Sequence, residues 1–387
     1  MIPYGRQYLD EDDIAAVVAV LRSDYLTQGP AVPRFETALQ ACTGAQEAVA
    51  VQSATAALLI ACRALGVGPG DVVWTSPITF VASANCARMC GAQVDFVDID
   101  PTTFTMCPQH LAEKLAEAER QGRVPKVIIP VHMCGQSCAM ADIHALAQRY
   151  GCRIIEDASH AIGGRYQDVP IGSCTYSDIT VLSFHPVKII TTGEGGAALT
   201  NDADLAGHMR DLRSHGITRD PDACEDYHGP WYYEQYDLGY NSRLTDMQAA
   251  LGCSQLRHLN AFIEARHALA ERYDQALADL PVDIPYRRSD SYSAFHLYII
   301  GLRGASPEQR QRLFTFMRAQ GIGVHVHYIP VHLQPYYRRL GFAPGDFPQA
   351  ERYYRTALTL PLFPQLSHAQ QDQVIASLAD GCHQEGL

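Results

Sequence analysis

Lys188 lies in the stretch SFHPVKIITTGEGG (183–196), between apolar residues and a run of Thr and Gly. The chain has 30 basic residues, of which only Lys114, Lys126 and Lys188 are lysine. Arginine stays protonated at any ordinary pH, whereas a desolvated lysine can lose its proton and become a nucleophilic amine. Lys188 therefore reads either as a surface lysine or as an amine able to form an imine with a carbonyl. Asp157 ends the apolar run RIIED, and His160 follows three residues later. A carboxylate there can pair with a buried cation or cap the next helix. The turn QSATAA (52–57) has residues small enough for helix N–H groups to approach a phosphate, although Ser-Ala-Thr is also an ordinary N-cap. Phe80, in SPITFVASAN, is placed either to cover an aromatic ring or to fill the core.

Such residues need elements to bring them together. From residue 47 β-rich runs alternate with helical segments: EAVAVQ with SATAALLIACRALG, DVVWTS with FVASANCARMCG, QVDFVDI with LAEKLAEAER, and KVIIPVH with ADIHALAQRY, before RIIEDAS. DITVLSF and GGAALT add strands on either side of the lysine motif. This alternation predicts an α/β fold with a mostly parallel central sheet covered by helices on both faces. In such sheets ligands collect at the carboxyl ends of the strands. DEDDIAAVVAVLRS reads as a capped amphipathic helix with Ile14, Val17, Val18 and Leu21 on one face. A helix near DLAGHMRDLRSHG precedes a loop rich in Asp, Pro and aromatics (218–240), and a long helical stretch is expected from about Leu244 to Leu280. The last hundred residues mix strands (AFHLYIIGL, GIGVHVHYI) with helices, as in a smaller α+β domain. With 387 residues two domains are expected, 1–245 and 246–387.

Composition, 47% hydrophobic and 19% charged, is that of an ordinary soluble protein. No apolar run approaches the roughly eighteen residues of a membrane span. The start MIPYGRQYLDEDD has no basic or apolar leader, so a cytoplasmic location is expected. A net charge of −12 without a basic stripe argues against nucleic acid as a partner. An anionic substrate would then be met locally, with Arg287–Arg288 and Arg338–Arg339 as candidates unless they are solvated surface. The twelve cysteines contain no C-x-x-C, and Cys62 lies within an apolar helical run, so neither a metal site nor a disulfide framework is expected.

An imine-forming lysine, a phosphate cradle, a strand-end carboxylate and an aromatic lid together suit pyridoxal phosphate. Its aldehyde takes the lysine, its phosphate the helix N-terminus, and its protonated ring nitrogen the carboxylate. QSATAALLIA, SPITFVASAN, EDASHAIGGRY, SFHPVKIITTGEGGAALTND and GYNSRLTDMQAALG resemble, in order, the signature blocks of the DegT/StrS-type sugar aminotransferases. The likeness covers essentially the whole chain. It implies a fold-type I pyridoxal-phosphate enzyme with a large cofactor-binding domain, a small C-terminal domain, and nucleotide-linked keto-sugars as substrates. On this resemblance Lys188 is the Schiff-base lysine and Asp157 the partner of the pyridine nitrogen. His160 stands where the family commonly has Gln, near the ring hydroxyl. Ser183, Ala54 and Thr55 are phosphate ligands, and Phe80 stacks on the ring. Asn241 reaches across a dimer interface to the partner's phosphate, which implies a homodimer with shared active sites. Glu194 and the glycines around it form a turn behind the lysine, since G-E-G-G is not the dinucleotide fingerprint.

YLTQGP, SHAIG, SFHPVK and VHYIPVHLQPYY are most similar to one branch of that family. That branch makes UDP-4-amino-4,6-dideoxy-N-acetyl-β-L-altrosamine, an intermediate of pseudaminic acid biosynthesis. The similarity implies L-glutamate as donor and C4 of a UDP-linked 4-keto-6-deoxy-N-acetyl-hexosamine as acceptor. Alternate histidines at 325 and 327 would share a strand face, which also suits a metal, but no carboxylate lies nearby in sequence. The resemblance puts this segment by the sugar-nucleotide pocket, with Tyr4, Gln28 and His332 as substrate residues. Alternatives are an aminotransferase for another UDP- or dTDP-keto-sugar, a sugar dehydratase, and a non-catalytic cofactor-binding regulator. Dehydratase relatives carry His in place of the lysine, and no single arginine stands out for glutamate's carboxylates.

Overall fold

The computed structural model describes residues 1–387. Seven of the apolar runs form one sheet: β1 (Glu47–Val51), β2 (Val72–Thr75), β3 (Gln93–Phe96), β4 (Val127–Ile129), β5 (Arg153–Asp157), β6 (Ile179–Ser183) and β7 (Gly196–Thr200). Their spatial order is β1-β7-β6-β5-β4-β2-β3. The pairs β2–β3, β2–β4, β4–β5 and β5–β6 are parallel, whereas β7 runs against both of its neighbours. The cause is the connection: residues 184–195 between β6 and β7 contain no helix, and a parallel return needs a crossover. That short return carries the lysine motif.

The strands alternate their side chains between two helical layers. Val49, Val51 and Val181 pack with residues of α3 (Ala54–Ala64), α4 (Ala82–Met89) and α7 (Ala203–Arg213). On the other face Ala48, Ala50 and Leu182 meet α2 (Ala31–Thr43), α8 (Asp246–Leu256) and α9 (Leu259–Ala276). Trp74, Ile128 and Ile154 meet α5 (Pro108–Arg120) and α6 (Met140–Tyr150) on that same face. No helix is long and apolar enough to cross a membrane.

Several expectations need correction. The helix α1 (Glu11–Leu21) is capped as expected by Asp10, but Ile14 and Leu21 are 51% and 55% exposed, and Asp13 and Val20 are its buried residues. The helical stretch over about 244–280 is two helices, α8 and α9, with an elbow at Arg257–His258. GIGVHVHYI forms no strand; its backbone is pinned by single bridges, Ile322 to Ile2 and His325 to Thr359. The C-terminal unit has a three-stranded antiparallel sheet of Val282–Asp283, Tyr298–Leu302 and Ala357–Leu360. Helices Pro307–Ala319 and His368–Glu385 supply Leu313, Met317, Val374 and Leu378 to the core of that unit. Ile2, Leu269 and Tyr273 belong to the same core. The start of α9 (Leu259, Phe262, Ile263) packs in the core under the large sheet and its end (Leu269, Tyr273) in the C-terminal core, which Ile2 of the first residues also joins. Neither feature leaves a mark in local periodicity, because both depend on contacts between distant segments.

Candidate active site

The carboxyl ends of the strands open into a cavity of about 1020 Å³. The large unit contributes Ser53, Ala54 and Thr55 at the start of α3, Thr79 and Phe80 before α4, Asp157 from β5 and Ser183 from β6. His160, Lys188 and Arg243 come from the loops. Tyr4 on the N-terminal arm and His325, His327 and Tyr328 of the C-terminal unit complete the wall. The arm is held by Ile2 N–H to Gly321 O (2.8 Å), Gly323 N–H to Ile2 O (2.6 Å) and Leu362 N–H to Tyr4 O (3.0 Å).

The three lysines differ sharply. Lys114 is paired with Asp95 at 2.7 Å and Lys126 with Asp71 at 3.0 Å. Lys188 makes no side-chain ion pair or hydrogen bond and faces the cavity half-buried. Desolvation pulls its amine from the usual 10.5 down to about 8, opposed in part by the Asp157 carboxylate. Asp157 is buried with a donor on each oxygen: Ser83 Oγ to Oδ2 at 2.6 Å and Ser159 N–H to Oδ1 at 3.1 Å. Ser83 Oγ lies 2.7 Å from Thr79 Oγ1, so a short hydroxyl chain sets the angle of the carboxylate.

At the start of α3, Ser53 Oγ accepts from Ala56 N–H at 3.2 Å, which makes Ser53 the N-cap. The N–H groups of Ala54 and Thr55 precede the first intrahelical bond and point outward unpaired, as the leading amides of a helix do. Strand β7 passes directly beneath them. A Cβ on Gly196 would stand 2.4 Å from Ala54 N and 2.5 Å from the Ser53 carbonyl carbon, so only glycine fits. The Ser183 hydroxyl faces the same space without a partner in the chain. Phe80, 59% exposed, presents its ring to the cavity, 6.3 Å from that of Tyr328.

His160 lines the cavity and meets the Tyr328 hydroxyl at 3.2 Å through Nε2, while its buried Nδ1 has no partner. Burial, with Lys188 and His327 nearby, holds the ring far below its ordinary titration range, so it is neutral. Tyr4 packs on His325 and His327, whose own rings stack at 4.5 Å. His332 does not belong here. Its ring is fully buried, Nε2 is 3.1 Å from Glu351 Oε1, and its edge meets Phe347, all behind the cavity wall. Gln28 is exposed and lies outside the wall, as does Asn241.

Neither arginine pair lines the cavity, and Arg338 and Arg339 are exposed on the surface. Arg287 is held by Asp274 and Glu271, and Arg288 by Asp290 at 2.7 Å. Arg243 is the cavity's only arginine and carries no ion pair or side-chain hydrogen bond. It stands within the block GYNSRLTDMQ, two residues after Asn241, and its isolation becomes visible only once the fold removes the other arginines. Ser83 and Tyr328 were likewise silent in sequence, because each acts on a residue far along the chain.

Residues 7–379 match the DegT/DnrJ/EryC1/StrS aminotransferase family. The chain belongs to that family. Among its relatives is SpsC of Bacillus subtilis, a spore coat polysaccharide biosynthesis protein, 39% identical over 98% of this chain and 96% of SpsC. In fold the DegT-family chain matches Spr1654 of Streptococcus pneumoniae, assigned as a sugar aminotransferase, with TM-score 0.93 and 31% identity over all of both chains. It also matches Helicobacter pylori PseC, an aminotransferase involved in the biosynthesis of pseudoaminic acid, with TM-score 0.91 and 30% identity over 99% of each. Spr1654 has been solved in both its PLP and PMP forms. This DegT-family protein is a pyridoxal-phosphate-dependent sugar aminotransferase with a fold-type I architecture. Its cavity fits that cofactor on the chain's own terms. An unpaired amine, two unpaired helix amides beside a free hydroxyl, and a carboxylate with fixed orientation all open onto one space.

Proposed function

We propose that the enzyme moves the amino group of L-glutamate to C4 of a UDP-linked 4-keto-6-deoxy-N-acetyl-hexosamine. The product is UDP-4-amino-4,6-dideoxy-N-acetyl-β-L-altrosamine. The observation that carries the chemistry is the unpaired Lys188 amine in the same cavity as the Ser83-braced Asp157 carboxylate. The sugar assignment rests on the likeness to PseC and on the sequence blocks shared with that branch. Bound pyridoxal phosphate supplies a conjugated, protonated ring that stabilises negative charge on the carbon losing its proton. Lys188 would hold the cofactor through its aldehyde. Its amine, when free, would take the proton from the glutamate α-carbon and deliver a proton to sugar C4. Asp157 would pair with the ring nitrogen and favour its protonated form. Ala54, Thr55 and Ser183 would hold the phosphate and Phe80 would cover the ring, while neutral His160 would add no competing charge.

Arg243 takes a glutamate carboxylate, since a lone cavity guanidinium suits that anion in charge and geometry. Tyr4, His325 and His327 face the sugar. Asn241 serves a second copy's cofactor in a homodimer, in keeping with its exposure outside its own cavity. The uncovered Ile14 and Leu21 of α1 support a homodimer as well. One other reading has an observation of its own: identity to SpsC favours a different nucleotide keto-sugar bound for a polysaccharide. A panel of UDP- and dTDP-linked keto-sugars with glutamate, with NMR assignment of the amine-bearing carbon, tests the choice. An amine at C4 of the UDP-N-acetyl sugar supports the proposal. An amine at C3, or turnover of dTDP-sugars alone, overturns it. Lys188→Arg keeps the charge and should abolish turnover.

A further inference from the structure

The N-cap of α1 and the elbow between α8 and α9 meet, outside the active-site cavity, in a cluster of Asp10, Asp13 and His258. One oxygen or nitrogen from each side chain lies within 4.8 Å of the others. The two carboxylates are half-committed. Asp10 Oδ1 accepts Asp13 N–H at 3.0 Å, while Asp13 Oδ2 accepts Asp10 N–H at 3.2 Å and Gln255 Nε2 at 2.6 Å. Asp13 is 1% exposed, yet its Oδ1 has no partner. His258 Nε2 is also buried. It is 3.1 Å from Asp10 Oδ2 but out of line with it, so the two make no hydrogen bond. Phe262 stacks on the imidazole ring, and Tyr8 also packs against it.

A buried carboxylate oxygen without a donor is costly, and His258 Nε2, out of line with Asp10, donates to neither carboxylate. A cation taking one atom from each of the three side chains would give the imidazole nitrogen a partner and offset the charge of both carboxylates. We propose that Asp10, Asp13 and His258 form a divalent transition-metal site. One imidazole nitrogen with two carboxylate oxygens suits zinc, cobalt or manganese better than calcium, which prefers oxygen alone. The ion's charge balances the two carboxylates. Gln255 Nε2 also donates to Tyr8 O at 3.0 Å, so the site fastens the base of the arm that carries Tyr4 to the cavity.

The test uses untagged, cofactor-loaded protein treated with chelator and then titrated with Co²⁺. The expected result is one equivalent per chain, weak visible bands without thiolate-to-cobalt charge transfer, and an unfolding midpoint raised by about 3 °C or more under saturating metal. His258→Ala and Asp13→Asn should each lose the bound equivalent and the shift in midpoint; Asn keeps an oxygen for the α1 cap, which guards against simple misfolding. Less than about a fifth of an equivalent bound, charge transfer from one of the twelve cysteines, or a full equivalent kept by either variant overturns the site.

Discussion

In the role proposed for Lys188, its lowered amine sets how readily the apoenzyme captures pyridoxal phosphate, and the effect can be worked out. Only the neutral amine attacks the aldehyde. With the amine at about 8, roughly one tenth of the chains carry it neutral at pH 7, against about three in ten thousand for an unshifted lysine at 10.5. Desolvation thus raises the neutral, nucleophilic fraction at pH 7 about 300-fold over an unshifted lysine. Stopped-flow absorbance of the aldehyde, followed from pH 6 to 9.5, should show the rate climbing about tenfold per pH unit, bending near 8 and then levelling. Asp157 provides a check on sign. Its carboxylate stabilises the ammonium form, so Asp157→Asn should move the bend to lower pH. Comparing the variant with wild type also cancels the cofactor's own titrations. A rate still rising tenfold per unit at pH 9.5, or a bend moved upward by Asp157→Asn, would refute the claim that burial tunes this amine.

Ser83→Ala removes a 2.6 Å hydrogen bond to a buried carboxylate, a contact of about 1.5–3 kcal/mol. Because Ser159 N–H still holds the other oxygen, single-turnover transamination should slow about tenfold with the KM for glutamate unchanged. Arg243→Gln should raise the KM for glutamate about tenfold or more while leaving that for the sugar nucleotide in place, as steady-state kinetics with each substrate varied would show. Gly196→Ala drives a methyl group into the Ala54 amide and should cost about 1–3 kcal/mol of stability together with tight cofactor retention, read by thermal unfolding and by dialysis against phosphate. His332→Ala should lower the unfolding midpoint by leaving Glu351 buried without its imidazole, yet leave both KM values alone, because His332 does not reach the cavity.

What the sequence made legible follows the range of the physics involved. The strands were readable because burial on both faces demands continuous apolar runs, and Asp157 and the α3 turn because each sits at the end of such a run; Lys188 stood out because lysine is scarce in the chain, and Ser183 only through the family resemblance. The direction of β7 could be inferred only from the length of its connection to β6, since an antiparallel strand is no less apolar than a parallel one. His332 misled because it sits beside residues that do reach the cavity: the chain turns at Val331–Leu333, and one turn of 3-10 helix is enough to carry the ring from the wall into the core. Arg243 went the other way. Nothing local marks it, and it gains meaning only when Arg287 and Arg288 are seen to be neutralised by carboxylates close at hand. Tyr4 shows the same principle at the scale of the whole chain. Its place on the cavity wall depends on the backbone of Ile2 pairing with the 321–323 turn more than three hundred residues later. Residues proposed for the chemistry are therefore visible early at strand ends, whereas those proposed to face the substrate come from segments joined only by folding. Specificity in this enzyme should accordingly respond to substitutions in the arm and in the turn that holds it. The covalent chemistry at Lys188 should not.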